Sequence, residues 1–293
     1  MSSVLYDAPG PVSLRRQRIG SIVGAVVLVG LVAASLVYAA AQGLLGADRW
    51  DVLYDPPRNQ EAADVWSSLV IRGLGATLRA AVVAAPIALA LGFLLAVWRT
   101  ARSRVARTPA VVVVEVFRGL PVLLMMFFAL LAFGLSAFQS VVFGLVVYNM
   151  AVFAEILRAG LASLPKGQAE AAYAIGLSRG QTLFTILLPQ AVRTMMPSLV
   201  AQLVVLLKDS ALGFIVGYAE LLRSIQLNTA FFGERYSLAL FVVGASVYLV
   251  VNMALSSLAR RLNRRSDRPS AVDDTALDEA QVAQNTPGNM PRP

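Results

Sequence analysis

Neither cysteine nor histidine occurs anywhere in the 293 residues. Their absence removes thiolate nucleophiles, disulfides, imidazole metal sites and every Ser-His-Asp arrangement. Lysine is nearly missing as well. Lys166 and Lys208 stand alone and neither follows a glycine, so there is no Gly-x-x-x-x-Gly-Lys phosphate loop with which to hydrolyse ATP. Charge is scarce: 14% of residues are Asp, Glu, Lys or Arg, against about 25% in a soluble domain. Hydrophobic residues make up 57%, so composition alone points to a membrane protein. The net charge of +8 would suit nucleic acid, but the arginines cluster beside apolar runs. Such clustering marks membrane flanks, not a patch that tracks a groove, and no nucleic-acid partner is expected.

The apolar runs predict an all-α membrane protein of about six transmembrane helices, since about 20 apolar residues cross a bilayer core. Residues 1–18 form a polar segment ending in Arg15, Arg16 and Arg18, followed by an apolar span over 19–41. Ala39, Ala40 and Ala41 before Gln42 also fit the cleavage site of a secretory signal, although the run exceeds the usual 7–15 residues of such signals. Residues 42–68 are acid-rich, with Trp50, Tyr54 and Trp66 suited to an interfacial belt, and read as an external loop. Residues 69–265 form the main transmembrane domain. Its spans are expected at 69–98, 110–135, 141–157, 197–217 and 237–259, with an outer loop over 218–236. Arg99, Arg102, Arg104 and Arg107, then Arg158, Lys166, Arg179 and Arg193, then Arg260, Arg261, Arg264 and Arg265 all fall on one side under this count. The positive-inside rule makes that side, and both termini, cytoplasmic. Residues 266–293 lack any apolar period and are expected to be a disordered cytoplasmic tail. Small residues such as Gly24, Gly30, Ala80, Ala81, Ala84, Ala85, Ala88 and Gly92 read as helix-packing surfaces.

One cytoplasmic break, 159–196, is too ordered for a linker. Pro165 to Gln168 is expected to turn, Glu170 to Ala174 to be helical, Gly176 to stop that helix, Ser178 to cap the next, and Pro189 to end it. A short helix between two spans suits the docking of a partner.

Charges inside spans cost about 2.5–3.5 kcal/mol each and invite a functional reading. Lys208 and Asp209 are deepest, with Ser210 beside them; either they line a pathway or they lock helices together as ion pairs. Arg79, beside Thr77, is a second pathway candidate. Glu115 with Arg118, and Glu155 with Arg158, are spaced i,i+3 and can pair on their own helices. Gly119 and Pro121 predict a broken helix, tolerated only where backbone lines a cavity or packs on protein. These six residues read as gate or structural support. A Ser-Lys dyad of Ser210 and Lys208 is poor geometry for an enzyme, because residues two apart on a helix diverge. No metal site is expected.

The break resembles the EAA loop of the membrane subunits of ATP-binding-cassette (ABC) importers: Glu170, Ala171, Ala172, Gly176, Ile186, Leu188 and Pro189 fill its seven fixed positions. Phe117-Arg118-Gly119-Leu120-Pro121, Glu155-Ile156-Leu157-Arg158, Pro165-Lys166-Gly167-Gln168 and Leu207-Lys208-Asp209-Ser210 are similar to the polar amino acid branch of that family. Leu187-Leu188-Pro189-Gln190 and the run from Leu207 to Gly213 most resemble actinobacterial glutamate permeases. The resemblance covers roughly residues 70–260 and implies a type I ABC importer transmembrane domain. It implies a permease that is not itself an enzyme. Separate ATPase subunits would hold ATP and Mg and dock on the EAA helix. A second permease, identical or a sister, and an extracytoplasmic solute-binding protein complete the implied assembly in the cell membrane, among lipid. Glutamate is the implied cargo, and Arg79 and Lys208 would supply positive potential for its carboxylates. Glutamine, aspartate and basic amino acids remain alternatives. So does an ion-coupled carrier using Asp209 or Glu155, though that would leave the surface helix without a purpose.

Overall fold

The computed structural model describes residues 11–266, with side chains over 12–257, and these residues contain helices and connecting turns but no strand. The tail expected over 266–293 lies outside them, apart from its first residue, as does most of the polar segment before Pro11. The helices are α1 (Pro11–Ala41), α2 (Ala62–Trp98), α3 (Arg104–Gly119), α4 (Val122–Ala132), α5 (Ala137–Ser163), α6 (Lys166–Ala174), α7 (Arg179–Val216), α8 (Leu221–Phe232) and α9 (Ser237–Ser266). Five runs are long and apolar enough to cross a membrane, and the bent pair α3–α4 would make a sixth.

That pair carries out what Gly119 and Pro121 foretold. The two helices meet at 100°. Leu120 is extended (φ −91°, ψ 138°), as a residue before proline prefers, and Pro121 caps α4, where its missing N–H costs nothing.

Five expectations need correction. Pro165 to Gln168 is no free-standing turn: Pro165 caps α6, which already runs from Lys166. Pro189 does not end a helix, and the expected fifth span of 197–217 is the latter part of one run beginning at Arg179. A π-helical stretch, Thr182–Leu187, precedes the proline, and the Leu188 N–H reaches five residues back to Leu183. This wider register accommodates a residue that has no N–H and whose ring crowds the preceding turn. Finally, the expected outer loop over 218–236 is mostly the helix α8, and 42–68 already contains the start of α2.

By internal contacts the chain divides into two compact units, each considered by itself. One takes the residues up to Leu69 together with Ser224–Ala245. In it Val52, Val65, Leu69, Tyr236 and Leu240 are buried. Arg235 donates to the Asp48 carbonyl at 2.7 Å, Asn228 to Ser68 Oγ at 2.7 Å, and the Trp66 indole to the Leu53 carbonyl at 3.1 Å. Gly24 and Gly30 of α1 face open space, so their expected packing role is not seen.

The other unit takes Val70–Arg223 and the residues from Ser246 on. Its core joins Ala80, Ala84 and Ala88 of α2 to Val141, Phe153 and Ala154 of α5 and Leu206 of α7. Close approach rests on glycine: a Cβ on Gly92 would lie 2.7 Å from that of Phe153. Between α5 and α7 the core holds a polar link. Gln202 donates to the buried Asn149 Oδ1 at 2.9 Å, and Asn149 donates to the Leu145 carbonyl at 2.8 Å. Asn149→Leu is expected to strand the Gln202 amide and cost about 1–2 kcal/mol, read as a lower unfolding midpoint in detergent. An unchanged midpoint would mean that the link contributes nothing.

Candidate functional site

The predicted loop is rigid by construction. At the end of α6, Gly176 takes φ +87°, its N–H bonds the Tyr173 carbonyl at 3.0 Å, and the Leu177 N–H bonds Ala172 at 3.1 Å. These two bonds are a Schellman close, and its left-handed residue strongly favours glycine. Ser178 and Gln181 then form a capping box that starts α7.

The seven motif residues divide by role. Ala172 and Leu188 are buried and Ile186 is half-buried, so they hold the loop together. Glu170, Ala171, Gly176 and Pro189 are exposed. The exposed apolar side chains beside them are Tyr173, Ile175 and Phe184, with Ile175 78% accessible. These three are not among the motif positions. The alternation of Tyr173 and Ile175 with alanine was visible in sequence, but which side chains turned outward was not. The three leave apolar surface exposed on a loop capped at both Gly176 and Ser178.

The charged pairs both form and are then joined. Arg118 bonds Glu115 at 2.6 Å and Arg158 bonds Glu155 at 2.6 Å. Arg99, whose side chain is only 9% exposed, bonds Glu155 at 2.8 Å and lies 3.8 Å from Glu115. It thereby ties the end of α2 to α3 and α5. In sequence Arg99 is one of four arginines flanking a span, and nothing local links it to a carboxylate 56 residues away. A cavity of about 610 Å³ is lined by Glu115, Arg118, Gly119, Glu155, Val152, Ile156 and Ala159, so it gathers four of the six gate candidates.

The buried and rim members of this network should differ sharply. Arg99→Met is expected to cost about 2–3 kcal/mol by leaving Glu155 under-compensated, a reduced figure because Glu155 is one-quarter exposed. Arg118→Met breaks a pair that is two-fifths exposed on both sides and should cost under about 1 kcal/mol. Thermal unfolding of both variants tests the ordering; equal effects would deny Arg99 its special place.

The pathway candidates are dispersed. Thr77 is fully buried, its hydroxyl donating to Gly73 at 3.1 Å and accepting from the Leu221 N–H at 3.2 Å. Arg79 is exposed and lies 4.8 Å over the Phe138 ring. Phe138 in turn leans on Tyr218, whose hydroxyl donates to the Ala76 carbonyl at 2.8 Å. Nearby, Glu220 accepts from the N–H groups of Leu222 and Arg223 at 2.9 and 2.8 Å and caps α8; burial pushes its carboxyl up while those N–H groups oppose the shift. Ser210 is buried and bonds the Leu207 carbonyl at 2.7 Å. Lys208 is exposed and Asp209 half-buried, and among the described residues neither makes an ion pair. No hydrogen bond joins Thr77 or Arg79 to Lys208, Asp209 or Ser210. Among the described residues no cluster of three or more Asp or Glu is placed to hold a metal.

Known proteins resemble this chain across the same region. The family of binding-protein-dependent transport system inner membrane components matches residues 88–268. The glutamate transport system permease protein GluD of Corynebacterium glutamicum is 42% identical over 234 residues, 77% of this chain and 82% of that one. The glutamine transport system permease protein GlnP of Escherichia coli is 35% identical over 210 residues, 69% of this chain and 95% of its own length. Among solved structures, an amino acid ABC transporter crystallised with histidines superposes with a TM-score of 0.63 at 28% identity, covering 70% of this chain and 97% of that one.

Proposed function

The chain belongs to the binding-protein-dependent transport system inner membrane components, and we propose that within this family it imports glutamate, driven by an ATPase that docks on the loop between α5 and α7. It is a multi-pass inner-membrane permease subunit of an amino acid ABC importer and not itself an enzyme. The family works with ATPase and substrate-binding subunits.

The observation that carries the docking is the exposed apolar patch of Tyr173, Ile175 and Phe184 beside Glu170 and Ala171, on a loop closed by Gly176 and Ser178. Apolar groups left bare on a water-facing break are costly unless covered. An ATPase that holds ATP and Mg would cover them, with Glu170 accepting hydrogen bonds. The arginine-rich connections then face the cytoplasm.

Glutamate is supported by the 42% identity to a glutamate permease and by cations left without anionic partners. Lys208 stands in a membrane-spanning run with no ion pair among the described residues, and that exposure costs about 2.5–3.5 kcal/mol unless a wet pathway or second permease covers it. In this reading Lys208, Asp209, Ser210 and Arg79 line the pathway, Thr77 holds the backbone at Leu221 beside it, and the network of Glu115, Arg118, Glu155 and Arg158 with Gly119 and Pro121 forms the inner gate. A second permease, identical or a sister, and an external solute-binding protein complete the transporter.

Uptake of labelled glutamate by cells with and without the gene tests this, with unlabelled aspartate, glutamine, arginine and histidine as competitors. Deletion is expected to abolish ATP-dependent uptake, with competition by aspartate or glutamine only. Intact glutamate uptake alongside lost arginine or histidine uptake would overturn the substrate. Uptake indifferent to ATP depletion would overturn the coupling.

A further inference from the structure

A second cavity, of about 440 Å³, opens beside the charge network and is lined by Arg99, Arg104, Arg107, Thr108, Val111 and Arg158. Arg104, Arg107, Thr108 and Val111 are spaced i, i+3, i+4 and i+7, so one face of α3 forms a wall. The end of α2 supplies Arg99 and α5 supplies Arg158. Among the described residues no carboxylate lines the cavity. The nearest, Glu155 and Glu115, are already bonded to Arg99, Arg158 and Arg118, and two glutamates cannot neutralise five arginines.

Arg99 indicates a missing acceptor. Its side chain is more than nine-tenths buried, Nη1 donates to Glu155 at 2.8 Å, Nη2 lies 3.8 Å from Glu115, and its Nε is buried with no hydrogen-bond partner. Like charges crowded around a buried unpaired donor repel one another unless an anion sits among them. Guanidinium forks favour a phosphate, which they bind in bidentate fashion.

The surroundings fix the source of that phosphate. The cavity lies by the end of α2, the start of α3 and the last turns of α5, and the arginines there are those that the positive-inside pattern puts at a membrane flank. Trp98 is half-exposed there, with its indole N–H on the Ala106 carbonyl at 2.8 Å, as an interfacial aromatic would be. On neighbouring faces Leu94, Val105 and Val112 are exposed apolar side chains, Val105 at 83%. A basic pocket continuous with bare apolar surface suits a molecule with an anionic head and acyl tails. We propose that this cavity binds the headgroup phosphate of an anionic phospholipid. The bound phosphate bridges α3 to the ends of α2 and α5, next to the proposed gate. Only the membrane setting is needed for this, not the identity of the transported amino acid.

The test uses the full-length chain purified in a neutral maltoside detergent. Its unfolding midpoint is measured against added phosphatidylglycerol, phosphatidylcholine or inorganic phosphate, and lipid retention is read by native mass spectrometry. The variant is Arg104→Gln with Arg107→Gln, two exposed arginines that make no ion pair among the described residues, so folding is spared. Phosphatidylglycerol is expected to raise the midpoint and remain bound, phosphatidylcholine to do neither, and the double variant to weaken apparent affinity about thirtyfold, about fivefold per arginine. Arg104→Lys with Arg107→Lys keeps charge but loses the fork and should fall between. Equal protection by both lipids, or an unaltered response in the glutamine variant, overturns the proposal. Protection by millimolar inorganic phosphate alone makes this a free-anion site and overturns the lipid. Loss of ATPase co-purification in the double variant, with its lipid response intact, assigns these arginines to the partner protein and likewise overturns it.

Discussion

Ile175→Asp is expected to reduce ATP-driven uptake to less than about one-hundredth of the parent while leaving the amount of folded permease in the membrane unchanged. Ile175 is 78% exposed in the isolated chain, so the carboxylate costs nothing there. In the docked complex it would sit in an apolar contact without a partner. An unpaired buried carboxylate costs at least about 3 kcal/mol, more than a hundredfold in affinity. The measurement is paired: uptake in cells, and co-purification of the ATPase with tagged permease. Ile175→Leu keeps the apolar contact and should behave as the parent does. Full uptake by the aspartate variant would remove this loop from the docking surface.

Gly92→Val should act at the opposite level, on folding. The new Cβ would meet the Cβ of Phe153 at 2.7 Å and the carbonyl oxygen of Met150 at 2.9 Å. Neither neighbour can rotate away, since one is a first side-chain atom and the other is backbone. The two helices must separate, and the core of Ala84, Ala88, Phe153 and Ala154 opens with them. Overpacking of this kind costs about 3 kcal/mol, a large share of a membrane domain's margin. Little folded protein should survive detergent extraction. Gly75→Ala is the comparison: nothing lies within 4 Å of its Cβ, so helix propensity alone acts and the change should be neutral or slightly stabilising. If both variants extract equally well, close approach at Gly92 is not what holds these helices.

What could be read from sequence was local. Gly176 and Ser178 announce a helix stop and a helix start through their own backbone chemistry, and the structure has both. Gly119 and Pro121 announced the break between α3 and α4, and the i,i+3 spacing announced both ion pairs. What could not be read was tertiary. Arg99 looked like one more flanking arginine because its partners arrive from α3 and α5. The link between Asn149 and Gln202, 53 residues apart, exists only once α5 and α7 meet. Pro189 was misjudged for a different reason: the rule that proline ends a helix assumes α register, and the π stretch before it relaxes that rule. Tyr173, Ile175 and Phe184 were hidden among ordinary apolar residues because exposure is a property of the packed loop and not of the residue type.

The same π stretch has a mechanical consequence. Because Pro189 does not interrupt the run, the helix capped at Ser178 continues without a gap as far as Asp209. Thirty residue steps at about 1.5 Å make a helical run about 45 Å long, with the proposed docking loop at one end and Lys208 near the other. A tilt of about 10° about one end would sweep the far end through about 8 Å. The π stretch, Pro189 and Pro197 all lie within this run, so any bending between the loop and Lys208 falls at those points, while the backbone itself stays continuous from one to the other.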